Sequence, residues 1–161
     1  MAARDNSAAN SSAAVQTALK LDITRIFDAP PALVFKVWTS ADHVSRWLGP
    51  KDFTCTHCKV DFKPGGAWRA CIRAPEGKDY WCGGIYREIA PPKRLVFTFA
   101  WEEDGERGQE TTVTVTFEAQ GDKTRMNFTQ IPFDTVENRD SHSGGWSECF
   151  DRLGAYIKVA A

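Results

Sequence analysis

Two cysteines three residues apart, in Cys55-Thr56-His57-Cys58, are the first residues in this sequence whose types and spacing could do chemistry. A C-x-x-C pair that works as a dithiol normally lies at the N-terminus of a helix, where the thiol pKa is lowered. Here the segment leads into a predicted strand, in which residues three apart point to opposite faces. A structural zinc site needs four ligands. The pattern therefore favours incidental small residues over a redox pair or a metal site, and we expect no metal and no cofactor.

Three of the five cysteines would form a row if the turns between their strands are symmetric. A symmetric hairpin around residues 64–65 places Cys58 opposite Cys71. A symmetric hairpin around residues 76–77 places Cys71 opposite Cys82. Cross-strand neighbours are close enough to react under oxidation. By strand parity this row would lie on the outer, arginine-bearing face of the sheet.

The three histidines fall in different segments. His43 lies on a predicted short helix, His57 in the C-x-x-C segment and His142 where the long C-terminal helix begins. No nucleophile-elbow motif accompanies them, so the sequence does not predict a hydrolase triad.

A reaction inside an apolar cavity would need an acid or a base there. The sequence offers Tyr80, Tyr86 and Glu148. Each of them also suits an ordinary structural position: a strand rim, strand packing and a helix surface, respectively. We therefore assign no catalytic residue.

The charge balance and the glycines exclude several classes of partner. Twenty basic and 21 acidic residues leave a net charge of −1, so we expect neither nucleic acid nor an anionic membrane surface as a partner. No apolar run approaches the roughly 20 residues that span a bilayer, so no membrane insertion is expected. The pairs Gly65-Gly66 and Gly83-Gly84 belong to a turn and a strand, and neither forms a phosphate-binding loop before a helix.

The cysteine count and the N-terminus bear on compartment and domain organisation. Five cysteines is an odd number, and residues 1–18 lack the continuous apolar centre of a secretory signal. We therefore expect free thiols in a reducing compartment, the cytoplasm. We expect residues 1–18 to be a disordered extension and residues 19–161 to form one domain. The sequence does not determine the oligomeric state.

The first elements are predicted to be a strand and two short helices. Residues 21–27 alternate apolar and polar side chains, which is typical of a half-buried strand. Pro30-Pro31 suits the first turn of a helix whose apolar face includes Trp38. Ser40 is the predicted N-cap of a second helix, which ends at Gly49-Pro50.

The rest of the chain is predicted to form six strands and one long helix. Short alternating segments joined by tight turns, with a charged loop at residues 102–108, indicate an antiparallel meander. The helix is predicted at about residues 141–159, with an ion pair between Glu148 and Arg152 on its surface. Its apolar residues recur three and four apart and form one stripe, namely Trp146, Cys149, Phe150, Leu153 and Ile157.

This order of elements predicts the fold class. A meander of six strands must curl, and its concave face needs a cover. The C-terminal helix is the only long amphipathic element left to provide one. We therefore predict an α+β helix-grip fold, in which a curved antiparallel sheet is folded round the C-terminal helix.

Several segments carry a family resemblance through their order and spacing: DAPP at 28–31, Trp38, Trp47, KPGGAW at 63–68, PEG at 75–77, GIYREIAPPKRLVFT at 84–98 and GW at 145–146. Together they resemble the START-like superfamily, also called SRPBCC. Within it, the chain looks like the branch named after the activator of the heat-shock chaperone ATPase. The resemblance covers residues 21–157.

The resemblance implies a helix-grip fold with an internal, mostly apolar cavity. Members bind lipids, hormones or polyketides, and a few are cyclases or aromatases. The founder joins such a domain to a separate chaperone-binding domain, and only the helix-grip part is recognisable here. We therefore expect binding of an apolar or aromatic small molecule that is lipid-like or polyketide-like. A cavity enzyme of cyclase or aromatase type and a chaperone-linked interaction module are the alternatives.

Strand parity predicts which side chains line the cavity. On one strand Arg69 and Arg73 prefer water, so the alternate residues point inward. Small residues among the large aromatics, Ala70 and Gly83-Gly84, leave space or permit a bulge, which favours a cavity over tight packing. The predicted ligand cavity is lined by Phe35, Trp38, Trp47, Trp68, Ala70, Ile72, Tyr86, Phe97, Phe99, Val115, Met126, Phe128, Trp146, Phe150 and Leu153.

Overall fold

The computed structural model describes residues 19–160, which form an eight-stranded sheet and three helices. The predicted disordered extension, residues 1–18, lies outside the described residues. The strands are β1 (Leu21–Phe27), β2 (Thr54–Val60), β3 (Ala67–Arg73), β4 (Asp79–Ala90), β5 (Arg94–Glu103), β6 (Glu106–Arg107), β7 (Thr111–Gln120) and β8 (Lys123–Ile131). The helices are α1 (Pro31–Lys36), α2 (Ala41–Val44) and α3 (Val136–Ala160).

The sheet is antiparallel throughout, in the order β1-β8-β7-β5-β4-β3-β2. Rings on α3 pack against rings on the sheet, with Phe128 and Trp146 at a centroid separation of 4.7 Å. The predicted α+β helix-grip fold is therefore confirmed. The short β6 pairs with the end of β5, so the predicted charged loop is a small hairpin. Within residues 19–160, none of the helices combines the length and the apolar character needed to cross a membrane.

The two short helices begin where the sequence provides a start signal. Pro31 occupies the first position of α1, where its missing N–H leaves no hydrogen bond unmade. Ser40 is the N-cap of α2, and its hydroxyl accepts a hydrogen bond from the backbone N–H of His43 at 3.3 Å. The indole N–H of Trp47 then donates to the carbonyl of Val37 at 2.9 Å, which ties the end of this region back to α1.

The long helix α3 starts five residues earlier than predicted. The hydroxyl of Thr135 accepts a hydrogen bond from the N–H of Asn138 at 3.0 Å, which satisfies one of the free donors of the first turn. The predicted apolar stripe is confirmed, because the buried residues of α3 are Trp146, Cys149, Phe150, Leu153 and Ile157. His142 therefore lies in the second turn of the helix rather than at its start, one turn before Trp146 and on the same face.

The strand faces also follow the predicted parity. Trp68, Ala70 and Ile72 on β3 are buried, as are the alternate residues of β5, β7 and β8 that face them. The large rings meet edge to face, for example Trp68 and Phe97 at 5.7 Å. A small space of about 30 Å³ remains among these rings, between residues 38–48 and strands β2 to β5, with Trp146 as its α3 residue.

Gly83 and Gly84 allow a close approach of the backbone rather than opening space. A Cβ at Gly84 would overlap the carbonyl group of Thr98, and one at Gly83 would lie 2.6 Å from the carbonyl oxygen of Trp68. The hydroxyl of Thr98 accepts a hydrogen bond from the N–H of Ile85 at 2.9 Å. These glycines are therefore needed for strand packing and do not indicate a cavity.

The predicted row of Cys58, Cys71 and Cys82 is wrong, because each hairpin is displaced by one residue from the symmetric register. Cys58 lies opposite Ala70, and Ala70 lies opposite Cys82. Cys71 lies opposite His57 instead. Since a one-residue shift moves a side chain to the other face, Cys58 and Cys82 belong to the inner face and Cys71 to the outer face.

A bulge in β2 overturns a second expectation about the cysteines. Cys55 pairs with Ile72 and His57 with Cys71, so Thr56 is an extra residue with no partner on β3. Cys55 therefore shares the inner face with Cys58, although the two are three residues apart. In a regular strand they would lie on opposite faces, which is why the sequence pattern predicted that arrangement.

Candidate functional site

A cleft of about 760 Å³ opens where the first half of α3 passes the ends of β3, β4 and β5. The segment between α2 and β2, residues 48–53, forms the third side. The complete lining consists of Leu48, Gly49, Pro50, Phe53, Ile72, Lys78, Asp79, Tyr80, Cys82, Phe99, Trp101, Glu102, Glu103, Asp104, Asn138, Ser141, His142, Gly145, Trp146 and Cys149. The cleft thus lies between sheet and helix but opens to solvent.

The floor of the cleft is apolar. Ile72, Phe99, Trp146 and Cys149 line it and are buried by the surrounding structure. The rings of Phe99 and Trp146 meet edge to face at 5.8 Å, so a strand residue and a helix residue form one continuous aromatic surface. This surface suits the apolar or aromatic part of a ligand.

A buried polar network holds the indole of Trp146 in place. Its Nε1–H donates to Oε1 of Gln130 at 2.9 Å. The amide of Gln130 donates in turn to the hydroxyl of Thr111 at 2.9 Å, and that hydroxyl donates to the carbonyl of Phe99 at 3.0 Å. Gln130 is fully buried, so these bonds satisfy polar atoms that have no access to water. The network therefore fixes the orientation of one cleft wall.

His142 is a neutral polar group on the helix side of the cleft. Its Nε2 accepts a hydrogen bond from the indole N–H of Trp101 at 3.0 Å, which places the ring proton on Nδ1. The rings of Phe99 and Phe133 pack against the imidazole at 5.7 and 4.9 Å. Burial among these rings lowers the pKa of His142 to about 4. The imidazole is thus uncharged at neutral pH.

Residues 48–53 are held against α3 by Arg152. Its Nη1 donates to the carbonyls of Gly49 at 2.9 Å, Pro50 at 3.3 Å and Phe53 at 3.1 Å. The N–H of Gly49 also donates to the sulfur of Cys149 at 3.2 Å. The predicted ion pair between Glu148 and Arg152 is therefore wrong, because the guanidinium is used to satisfy the carbonyls of this segment.

The rim of the cleft is acidic, and two of its carboxylates form bidentate ion pairs. Arg69 holds Glu102 through bonds of 2.7 and 2.8 Å. Arg73 holds Asp79 through bonds of 2.7 and 3.1 Å. These contacts lower the pKa of both carboxylates. The rim is therefore ionised at neutral pH and marks where the apolar floor gives way to water.

The residues predicted to line the ligand cavity fall into three groups. Ile72, Phe99 and Trp146 line the cleft. The small interior space is bordered by Trp146 again and by Trp38, Trp47, Trp68, Tyr86 and Phe97. The rest are buried core residues outside both spaces, namely Phe35, Ala70, Val115, Met126, Phe128, Phe150 and Leu153. The assignment of all three groups to a ligand site stays a prediction.

Several cleft residues were not anticipated from the sequence. His142 and Gly145 both lie within one turn of Trp146 on the face towards the sheet, a position that the predicted helix at about 141–159 already implies. Tyr80, a candidate acid or base at a predicted strand rim, also lines the cleft. Nothing in the sequence indicates that the indole of Trp101, near the end of β5, reaches α3.

The other residues considered for chemistry do not join this site. Tyr86 is buried in the interior, and desolvation raises the pKa of its hydroxyl. The Nδ1 of His43 lies 2.8 Å from the hydroxyl of Tyr156, and the ring of His57 packs on Trp81. In the part of the chain that the structure describes, no three His, Cys, Asp or Glu side chains are grouped so as to hold a metal ion.

Comparison with known proteins agrees with this architecture. Residues 28–158 match the family described as activator of Hsp90 ATPase homologue 1-like protein. A comparison with curated proteins gave no match.

Solved structures share the fold at low sequence identity. The AHSA1 protein of Silicibacter pomeroyi is 23% identical, with a TM-score of 0.79 over 88% of this chain and 99% of that one. The AHSA1-like protein of Aeromonas hydrophila is 22% identical, with a TM-score of 0.70 over 88% and 93%. A protein of Nitrosomonas europaea is 23% identical, with a TM-score of 0.75 over 88% and 95%.

Proposed function

The chain belongs to the family of activator of Hsp90 ATPase homologue 1-like proteins, and from that premise we propose that it binds an apolar or aromatic small molecule in the cleft between the sheet and α3. The observation that carries this proposal is the aromatic floor of a cleft of about 760 Å³. Ligand sites for small molecules are concave, mostly apolar and of this size, and carry a few polar groups that orient the ligand.

The chemistry of the lining narrows the kind of ligand. The floor formed by Phe99 and Trp146 favours a planar or branched apolar body, since rings offer large contact areas. His142 offers one neutral polar contact at the helix side. Asp79 and Glu102 are neutralised by their arginines, but Glu103 and Asp104 also line the rim and outnumber Lys78, so the entrance disfavours an anionic group. A lipid-like or polyketide-like molecule without a carboxylate at its exposed end fits this combination.

The proposed location differs from the interior predicted from the sequence. The interior space bordered by Trp38, Trp68 and Phe97 is about 30 Å³, which is far below what such a ligand needs. The cleft is lined by three of the residues predicted to contact the ligand, and its volume of about 760 Å³ is large enough for one. Ligand binding there needs no repacking of the core.

Two neighbouring glycines of α3 provide a direct test. Gly145 lines the cleft, and a Cβ there would lie 3.7 Å from the ring of Pro50, so a leucine would fit the helix and project into the cleft. A Cβ at Gly144 has no neighbour within 4 Å, so Gly144→Leu is the matched control. Both changes favour the helix to the same degree.

The measurement is a fluorescence titration with N-phenyl-1-naphthylamine, a neutral aromatic probe that becomes bright in apolar surroundings. We expect saturable binding by the wild-type protein and by Gly144→Leu, and binding weakened at least about tenfold in Gly145→Leu. Equal affinities of the two variants would show that the probe binds elsewhere and would remove the support for the cleft. Native mass spectrometry of protein purified from its own host would then identify the retained ligand.

A further inference from the structure

The bulge in β2 brings two thiols to one face of an edge strand. Because Thr56 is the extra residue, Cys55 and Cys58 both face inward, while Thr56 and His57 are exposed. β2 is the last strand on its side of the described sheet, so reagents reach it from the open edge. Both thiols are partly exposed. Their partners on β3, Ile72 and Ala70, are next-but-one neighbours, so the two cysteines occupy adjacent positions on the inner face.

The surroundings of the pair favour the thiolate of Cys55. The hydrogen bond from Cys58 holds the pKa of Cys55 below its ordinary value, and the nearby Arg152 guanidinium acts in the same direction. The same pairing raises the pKa of Cys58. The thiol of Cys55 donates a hydrogen bond to the carbonyl oxygen of His57 at 3.4 Å, which holds the sulfur over the bulge and is released when the thiolate forms. Because the Arg152 guanidinium favours that thiolate, we assign Cys55 as the nucleophile of the pair.

We propose that Cys55 and Cys58 form a dithiol site that reacts with small-molecule disulfides and closes an intrachain disulfide across the bulge. The site is separate from the proposed ligand cleft, whose lining includes neither cysteine. The proposal therefore does not depend on the proposed function.

The reaction takes place in two exchange steps. The Cys55 thiolate attacks one sulfur of a disulfide such as oxidised glutathione, forms a mixed disulfide and releases one glutathione thiolate. The Cys58 thiol loses its proton to solvent, and its thiolate attacks the Cys55 sulfur and releases the second glutathione. Two protein thiols are oxidised by two electrons, and one glutathione disulfide is reduced to two glutathione thiols.

The other three cysteines provide internal controls. Cys71, Cys82 and Cys149 are buried. Burial raises the pKa of Cys149 to about 12 and also raises that of Cys82. The ladder places Cys82 two strands away from Cys58, with Ala70 between them. These thiols should stay reduced under conditions in which the pair is oxidised.

Trypsin separates the pair from every other cysteine. Cleavage after Lys51 and Lys59 releases residues 52–59, which contain Cys55 and Cys58 and no other cysteine. The folded protein is incubated with oxidised glutathione at neutral pH, the remaining thiols are alkylated, and the peptides are weighed. We expect residues 52–59 to become two hydrogens lighter and to escape alkylation, and dithiothreitol to reverse the change.

Variants test the assigned order of attack. In Cys58→Ser the mixed disulfide on Cys55 has no resolving thiol, so glutathione should remain attached to residues 52–59. In Cys55→Ser modification of the same peptide should be at least about tenfold slower. Cys82→Ser should oxidise at the wild-type rate.

The wild-type measurement alone decides the proposal, even if a variant fails to fold. A peptide of residues 52–59 that stays fully alkylated, carries two glutathiones or is crosslinked to Cys82 would overturn it. Faster attack through Cys58 in Cys55→Ser would overturn the assignment of the nucleophile.

Discussion

The indole N–H of Trp101, near the end of β5, donates a 3.0 Å hydrogen bond to Nε2 of His142 on α3. This contact joins the sheet to the helix across the cleft. It also fixes the imidazole in its neutral form, since protonated Nε2 can no longer accept the bond. The protonation of one side chain is therefore linked to the stability of the fold.

We predict that His142 makes stability depend on pH in the acidic range. The folded pKa of about 4 lies below the ordinary value of 6.5, so the unfolded chain binds this proton more tightly. The contribution is complete above pH 6.5 and is lost as the pH falls towards 4, by up to about 3 kcal/mol. The measurement is the free energy of urea unfolding across this range, compared between wild type and His142→Gln so that shared carboxylate effects cancel. A difference that does not change with pH would contradict the prediction.

We predict that Gln130→Met destabilises the protein by about 2–3 kcal/mol. Methionine has a similar volume but leaves the Trp146 indole N–H without its acceptor and the Thr111 hydroxyl without its donor, both in buried positions. Chemical denaturation measures the effect. Gln109→Met, at an exposed position, is the control and should change stability by less than about 0.5 kcal/mol.

We predict that Gly84→Ala is among the most damaging conservative changes in the chain. The added Cβ would meet the backbone of Thr98, which belongs to the neighbouring strand and has no free end that could move aside. We expect a loss of more than about 3 kcal/mol, compared with a gain of about 0.5–1 kcal/mol for Gly144→Ala, whose Cβ meets nothing. Thermal unfolding of both variants tests this contrast, and equal melting temperatures would refute it.

We predict that Arg152→Met loosens the third side of the cleft. The change removes the donor to the carbonyls of Gly49, Pro50 and Phe53, at a cost of about 2 kcal/mol. Hydrogen exchange at the Gly49 amide should accelerate, and the affinity for the aromatic probe should fall. Arg125→Met, at an exposed position on β8, should leave both quantities unchanged.

The spacing of apolar and polar residues along the sequence determines which face of a strand or helix is buried. The buried faces of β3 and α3 could therefore be predicted. Alternation on β3 correctly gave the inward set of Trp68, Ala70 and Ile72. The spacing on α3 correctly gave the stripe from Trp146 to Ile157. Apolar residues recur at these spacings because they lie on the face that is removed from water.

The site itself could be predicted only in part, because its position depends on the register between strands and on where packed side chains leave space unfilled. An inward-facing residue such as Phe150 can either pack fully or line a cleft, and periodicity does not distinguish the two. The bulge at Thr56 has no local marker, yet it moves Cys55 to the face of Cys58. The bond from Trp101 to His142 joins residues 41 apart in the chain, which no local pattern encodes.

The bulge in β2 has one more consequence, which concerns contacts between copies of the chain. An edge strand offers unpaired backbone groups to any neighbouring strand, and a regular edge is a template on which a sheet can continue growing into an aggregate. Thr56 interrupts the spacing that an incoming strand would have to match. The bulge that places Cys55 and Cys58 on one face therefore also protects this edge of the sheet against self-association.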